Sequence, residues 1–378
     1  MKIIIAPDKF KGSLTGFEYC DAVEEGLRIV FPQVEIIKKP LADGGDGTVD
    51  VVKHYIQGER INRSASDPLF RPVNTSYILS KANGIAFIEM AEVSGLKLLS
   101  VKERNCMHTT SLGVGELIVD AIEKGAEELI LGIGGSATND GGIGMAQALG
   151  YRFLDADDKE LKPVGGSLIE VKNIDTTNVH PKLGSLRVKV ACDVSNPLYG
   201  PDGAALIYAA QKGASKLDLR LLDKGLENFA KVLQEKFEVD VQQIKGAGAA
   251  GGMGAGTFVF LQAELVSGID LIKNIANFDS VLENADWVVT GEGQLDSQTL
   301  SGKTISGVLA SAKKKKVPVA ALCGSVSISP KEQEAFGLAY ATSILKGICN
   351  LEEAMAASYD NLVDAAYNFA KLLKKEMR

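Results

Sequence analysis

The chain opens on a short apolar run, Ile3-Ile4-Ile5-Ala6, cut off by Pro7. A brief run that is apolar at every position reads as a strand buried on both faces. From Thr15 to Val30 the apolar residues recur at helical spacing, and Val34 to Lys39 returns to a strand pattern. Gly47 to Ile56 reads as a second helix. A strand–helix–strand–helix opening predicts a parallel sheet covered by helices. From about Arg60 the rhythm changes. Val73–Leu79 and Ile85–Met90 read as a hairpin around Ala82-Asn83-Gly84. Leu112–Lys124 reads as a helix, Glu128–Leu131 as a strand, and Tyr151–Lys189 as short β-prone runs with turns. Leu217–Phe237 is amphipathic at helical period. The α/β alternation then returns. Trp287–Val289, Val317–Leu322 and Ala339–Ile344 read as strands, with a helix at Ser306–Lys313. Leu351–Lys375 closes the chain as a long helix with a break expected near Tyr359.

This pattern predicts an α/β fold. A Rossmann-like three-layer domain with a parallel sheet is assembled from residues 1–60 plus 270–378. An inserted second α/β domain takes residues 61–269, and the stretch 105–150 fits either. No internal repeat is visible.

Composition narrows the function. Glycine contributes 40 of 378 residues, clustered rather than periodic, which points to loop chemistry instead of a fibrous or linker chain. The formal net charge is −7, so no basic footprint for nucleic acid is expected, and an anionic substrate would need local cations. The five cysteines are widely spaced and form no CxxC, as in a reducing compartment. The N-terminal apolar run is too short for a signal peptide, and no run reaches the ~20 residues of a membrane span. A cytoplasmic protein with no membrane partner is expected.

Several loops rich in glycine and acid follow predicted strands: APDKFKGS (6–13), ADGGDG (42–47), GIGGSATNDGG (132–142) and TGEGQLDSQTLSGKT (290–304). CDVSNPLYGPDG (192–203) and KGAGAAGGMGAG (245–256) belong with them. In open α/β sheets ligands sit beyond the carboxyl ends of the strands, where such loops lie. Gly132-x-Gly134-x-x-Ala137 fits a dinucleotide fingerprint, but Asn139-Asp140 would set a carboxylate where a pyrophosphate approaches. Magnesium between carboxylate and phosphate resolves that conflict. A cap on the following helix is the alternative use of Asp140. Gly302-Lys303-Thr304 resembles the end of a phosphate loop, yet Ser297 stands where that loop requires glycine. Asp8, Asp43, Asp46, Asp140, Asp193, Glu292 and Asp296 supply acids. Lys9, Lys11, Arg71 and Lys303 supply cations. That set suits phosphoryl transfer, which needs carboxylates for metal and proton and cations near the moving charge.

Taken together, APDKFKGS, PLADGGDGT, DPLFRPV, EMAEVSGLKLL, TTSLGVGELI, LGIGGSATNDGGIGMAQALG, CDVSNPLYG, QKGA, GAGAAGGMG and GEGQLDSQTLSGK resemble the type I glycerate kinase family over nearly the whole chain. Cys106, Ala210 and Ile305 depart from the pattern expected of that family, which has proline at the first two positions and often at the third. The resemblance implies transfer of the γ-phosphoryl group of ATP, with Mg²⁺, to a hydroxyl of D-glycerate in a cleft between two domains. The product would be 2-phosphoglycerate or 3-phosphoglycerate. The physical reading assigns the roles. Gly134, Gly135, Ser136, Thr138, Asn139 and Gly141 line the nucleotide phosphates, with Lys303 as a point charge. Asp140 or Asp296 holds the metal. Asp193 is the expected base, with Asp296, Lys9 and Lys11 in the catalytic set. Asp8, Asp43, Arg71, Glu292 and Gln298 bind substrate, and Lys9, Lys11 and Arg71 compete for its carboxylate. Two rivals stand beside this reading: an NAD(P)-dependent dehydrogenase of a small hydroxy acid, and a non-catalytic metabolite sensor. The oligomeric state, including a homo-oligomer, is left open.

Overall fold

The computed structural model describes residues 1–44, 47–296 and 304–376. The chain divides into two compact units, Met1–Tyr55 with Gly268–Arg378, and Ile56–Ser267. Each is built on one large sheet. In chain order the strands of the two sheets are β1 (Lys2–Ile5), β2 (Glu35–Lys38), β3 (Glu59–Ser66), β4 (Pro72–Ser80), β5 (Ile85–Glu89), β6 (Glu128–Gly132), β7 (Arg187–Ala191), β8 (Glu264–Val266), β9 (Trp287–Thr290), β10 (Val319–Cys323) and β11 (Tyr340–Ser343).

The first unit carries a five-stranded sheet, order β11-β10-β9-β1-β2, with every pairing parallel. The strand order reverses direction between β1 and β9. β2 extends the sheet to one side of β1, and β9, β10 and β11 extend it to the other. Ile3, Ile5 and Val289 join the core under the helices Gly16–Val30 and Ser358–Glu376. Ile4 and Val288, also fully buried, alternate to the opposite face, so helices cover both sides. Full burial of each such isoleucine is worth about 1.5–3 kcal/mol. The helix Gly16–Val30 starts where Thr15 and Glu18 cap each other reciprocally. It meets the helix Ser358–Glu376 at Gly26, where a Cβ would lie 2.2 Å from the Val363 carbonyl. The long C-terminal helix does break, into Leu351–Ala356 and Ser358–Glu376.

The second unit carries a six-stranded sheet, order β8-β7-β6-β5-β4-β3. β5, β6, β7 and β8 run parallel, and β3–β4–β5 is an antiparallel meander at one edge. Its core gathers Leu129, Leu131, Val188 and Val190 with apolar residues of the helices Leu112–Glu123 and Lys216–Phe237. The stretch Ala249–Leu261 is helical only after a kink: Ala250, Gly251 and Gly252 have φ of 52°, 71° and 91°. β3, ERINRSAS, is not visible in the hydrophobic pattern because it is polar almost throughout and lies at the sheet edge. Mixed α/β architecture with parallel-dominated sheets is what the alternating pattern implies.

Candidate active site

Each unit presents loops at the carboxyl ends of its parallel strands. In the first unit these loops enclose a cavity of about 840 Å³. It straddles the reversal point between β1 and β9, the place where open α/β sheets open a crevice for ligands. The backbone ladder continues past the strand ends to build it. The Ala6 amide donates to the Val289 carbonyl at 2.8 Å, and the Asp8 amide to the Gly291 carbonyl at 2.9 Å. That places Asp8 beside the start of the loop after β9. Gly291 is required there, since a Cβ would lie 2.1 Å from the Leu322 carbonyl and 2.4 Å from the Tyr19 hydroxyl. Tyr19, fully buried, donates to the Thr290 carbonyl at 2.6 Å. The loops after β9 and β10 are joined in turn: Gly324 and Ser325 amides donate to the Glu292 and Gly293 carbonyls, both at 3.1 Å.

Five of the expected residues converge on this cavity: Asp8, Lys9, Lys11, Asp43 and Glu292. Asp8 is the most perturbed. Burial, with the nearby Asp43 carboxylate adding to it, pushes its carboxyl up to about 6 from the ordinary 3.8. Hydrogen bonds from Thr304 Oγ1 and from the Lys9 amide (2.7 Å) work in the opposite direction. The stem of Lys9 runs over Gly47, whose absent Cβ would meet it at 3.2 Å. Gln294 also lines the cavity; the sequence does not single it out, although it sits inside the GEGQLD stretch. Asp296 follows the short strand Gln294–Leu295, outside that lining. Asp46, Gln298 and Lys303 lie outside the described residues.

In the second unit the expected phosphate loop 132–142 is mostly interior. Gly134 and Gly135 are exposed, but Thr138, Asn139 and Asp140 are each 0% exposed, and Ser136 6%. The glycines serve backbone-on-backbone packing. A Cβ on Gly251 would lie 2.1 Å from the Thr138 carbonyl, and one on Gly256 would lie 2.4 Å from the Gly141 carbonyl. The glycine-rich stretch 245–256 thus covers the start of the helix Ile143–Ala148, where the dinucleotide reading needs room for a pyrophosphate. Thr138, Asn139 and Gly141 are buried, and among the described residues Thr138 Oγ1 and both side-chain polar atoms of Asn139 have no hydrogen-bond partner. Gly134, Gly135 and the edge of Ser136 are the part of the loop that meets solvent.

Asp140 is buried in the same way. Its carboxylate accepts from the Ser111 amide (2.8 Å), Ser111 Oγ (2.7 Å), and the Gly142 and Gly144 amides (3.2 and 3.3 Å). Ser111 Oγ accepts in turn from the Met145 amide at 2.9 Å. The acid therefore ties together the starts of two helices, Leu112–Glu123 and Ile143–Ala148, and a metal would have to displace those donors. Burial pushes its carboxyl up, against the pull of the same four bonds. Lys212, from the QKGA stretch, is buried below the loop and donates to Ser136 Oγ and the Thr138 carbonyl, both at 2.7 Å. Burial lowers its ammonium to about 8.

Asp193 stands exposed two residues beyond the end of β7. Arg71 is held in a turn by Asp67 and Glu103, at 2.6 Å each, so its charge is already compensated. Glu89, at the carboxyl end of β5, is a group that the sequence reading does not single out. Its carboxylate lies against Gly132, where a Cβ would come within 2.5 Å of Oε2. Burial and the neighbouring Glu92 push it up to about 7, with Lys97 opposing. The EMAEVSGLKLL stretch that carries Glu89 is the available signal.

Comparison with known proteins finds similarity along nearly the whole chain. A sequence model of the glycerate kinase family matches residues 3–374. A glycerate kinase of Halalkalibacterium halodurans is 44% identical over 97% of this chain and 97% of its own length. A glycerate 2-kinase of Escherichia coli K12 is 43% identical over 100% of this chain and 99% of its own. A crystal structure assigned as glycerate kinase 2, from Salmonella typhimurium LT2, superposes with a TM-score of 0.91 at 40% identity, covering 100% of this chain and 99% of that one. With its α/β architecture and an acid- and lysine-lined crevice, the chain belongs to the glycerate kinase family of phosphotransferases.

Proposed function

We propose that the chain transfers the γ-phosphoryl group of ATP to the 2-hydroxyl of D-glycerate, giving 2-phosphoglycerate, and that it requires Mg²⁺. The observation that carries the reading is Asp8: a carboxyl raised to about 6, beside Lys9 and Lys11, in the crevice at the β1–β9 reversal point. A group of that value is largely ionised at neutral pH and still basic enough to take a hydroxyl proton, which is the optimum for a general base. Asp8 therefore replaces Asp193 as the proposed base. Thr304 and the Lys9 amide fix the carboxylate's orientation. Lys9 and Lys11 supply positive charge where negative charge moves between oxygens. The choice of the 2-hydroxyl follows the similarity to the Escherichia coli glycerate 2-kinase.

The donor set fits magnesium. Asp43, whose carboxylate adds to the effect of burial on Asp8, would be the oxygen ligand, which leaves the Asp8 carboxylate for the proton. Among the described residues no three His, Cys, Asp or Glu converge as a protein-only metal site. Magnesium bound through one or two carboxylates and substrate phosphates needs no such cage. When bound, the ion neutralises phosphate charge. The chain's own residues orient the acceptor and hold its proton at the Asp8 carboxylate. The test is ADP release, by a coupled assay, in the presence of ATP, Mg²⁺ and D-glycerate. Release that is no faster with D-glycerate than without it contradicts the proposal.

A further inference from the structure

The cavity of the first unit is longer than glycerate requires, and its two ends differ in character. At the β1–β9 end the lining is charged: Asp8, Lys9, Asp43 and Glu292. At the β11 end it is apolar: Ile344, Leu345, Leu351 and Met355. β1 and β11 are separated by β9 and β10, three strand spacings or about 14 Å. A three-carbon acid, at ~1.5 Å per bond, spans only about 5 Å. By volume its seven non-hydrogen atoms, at about 30 Å³ for each water-sized group, fill roughly a quarter of the 840 Å³. The cavity falls within the roughly 300–1,000 Å³ typical of cofactor-sized ligands.

The apolar wall is left open rather than packed away. Leu351 is 76% exposed and Leu345 41%. It is also joined to the charged floor. Ser13 Oγ donates to the Met355 carbonyl at 2.9 Å and lies 2.7 Å from Ser358 Oγ. Gly12, with φ of +78°, lets the loop after β1 lie on Met355, whose Cε would stand 2.7 Å from a Cβ there. Floor and wall are thus a preformed unit. A ligand that suits it is long, with one anionic end and one flat apolar end.

We propose that this cavity seats the nucleoside triphosphate, with its base against Leu345, Leu351 and Met355 and its phosphates over Lys9 and Lys11 toward Asp8. The proposal rests on the kinase reading above and moves the nucleotide away from the 132–142 loop. The terminal phosphate then lies at the Asp8 end, where the acceptor hydroxyl must also come.

The test is calorimetric titration of the whole protein with Mg²⁺ and the non-hydrolysable analogue AMP-PNP, and separately with inorganic tripolyphosphate. Wild type is compared with Leu351→Asp and Leu345→Asp, with melting curves to confirm folding. The exposed position of Leu351 leaves the core untouched. AMP-PNP binding is expected to weaken about tenfold in Leu351→Asp, and tripolyphosphate binding to stay unchanged. In turnover the KM for ATP rises about tenfold, while the KM for D-glycerate and kcat at saturating ATP hold. Unchanged AMP-PNP binding in both folded variants overturns the proposal, as does a loss confined to the KM for D-glycerate. A wild type that binds AMP-PNP with the expected sensitivity, yet does not phosphorylate D-glycerate, supports the nucleotide seat and overturns the acceptor assignment. A wild type that binds no AMP-PNP overturns both.

Discussion

Replacing Asp8 by asparagine should make the protein more stable and nearly inactive at the same time. The carboxyl lies at about 6 in the folded chain against an ordinary 3.8. Because the folded value is the higher one, the native state binds the proton more tightly than the unfolded chain. Its stabilising effect is fully present below about pH 4 and is lost as pH rises through about 6. A separation of about two pH units corresponds to about 3 kcal/mol. Partial exposure of the carboxylate screens it, leaving roughly half. The amide of the Asp8→Asn variant cannot ionise, so the variant should gain about 1.5 kcal/mol over wild type at pH 8. For a unit of this size that is ~5 °C in Tm. The gain should shrink steadily toward pH 4. Over the same substitution kcat should fall by about 10²–10⁴, the scale of a lost general base. Melting curves from pH 4.5 to 8.5 and a coupled ADP-release assay at pH 8 read both arms. A variant with kcat within about threefold of wild type removes Asp8 from the proton transfer. A variant less stable than wild type at every pH refutes the burial argument, because it would mean that the charged carboxylate is stabilising overall.

Asp140→Asn should destabilise the chain by about 1–3 kcal/mol in urea unfolding, because with its carbonyl oxygen kept toward Ser111 and Gly144 its amide turns a donor toward the Gly142 N–H. A variant that unfolds like wild type but loses Mg²⁺-dependent activity would restore the metal role to Asp140. Glu89→Gln should raise Tm at pH 8.5 and leave it almost unchanged near pH 4, since a carboxyl at about 7 costs stability only once it ionises. Equal Tm values across that range would contradict the placement of Glu89 in a poorly solvated site. Excess EDTA should abolish turnover, and added Mg²⁺ should restore it; turnover that survives EDTA excludes a metal at Asp43.

Much of the architecture is legible in the sequence because its signals are local. Ile3–Ala6 followed by Pro7, and the period of Thr15–Val30, need nothing beyond their own neighbourhood. β3 is hidden because ERINRSAS buries little on its own account. The site is legible where acids and lysines share one loop end, as in APDKFKGS. The loop 132–142 is harder to read, because its composition has two physical uses. GIGGSATNDGG looks the same whether its glycines admit a phosphate or another backbone. The backbone they admit, Gly251 and Gly256, lies over a hundred residues away. Asp140 reads as a metal ligand or a tie between helices until Ser111 is known to sit against it. The perturbation of Asp8 comes first from burial, opposed by Thr304 and reinforced by Asp43, all set by other parts of the chain.

The most direct measurement is ³¹P NMR of the protein incubated with ATP, Mg²⁺ and D-glycerate. The γ-phosphate resonance of ATP should disappear while ADP and the phosphomonoester of 2-phosphoglycerate grow in equal amounts. Both changes should be absent in Asp8→Asn on the same time scale. Accumulation of inorganic phosphate or 3-phosphoglycerate instead, or an unchanged spectrum in wild type, would contradict the proposed transfer.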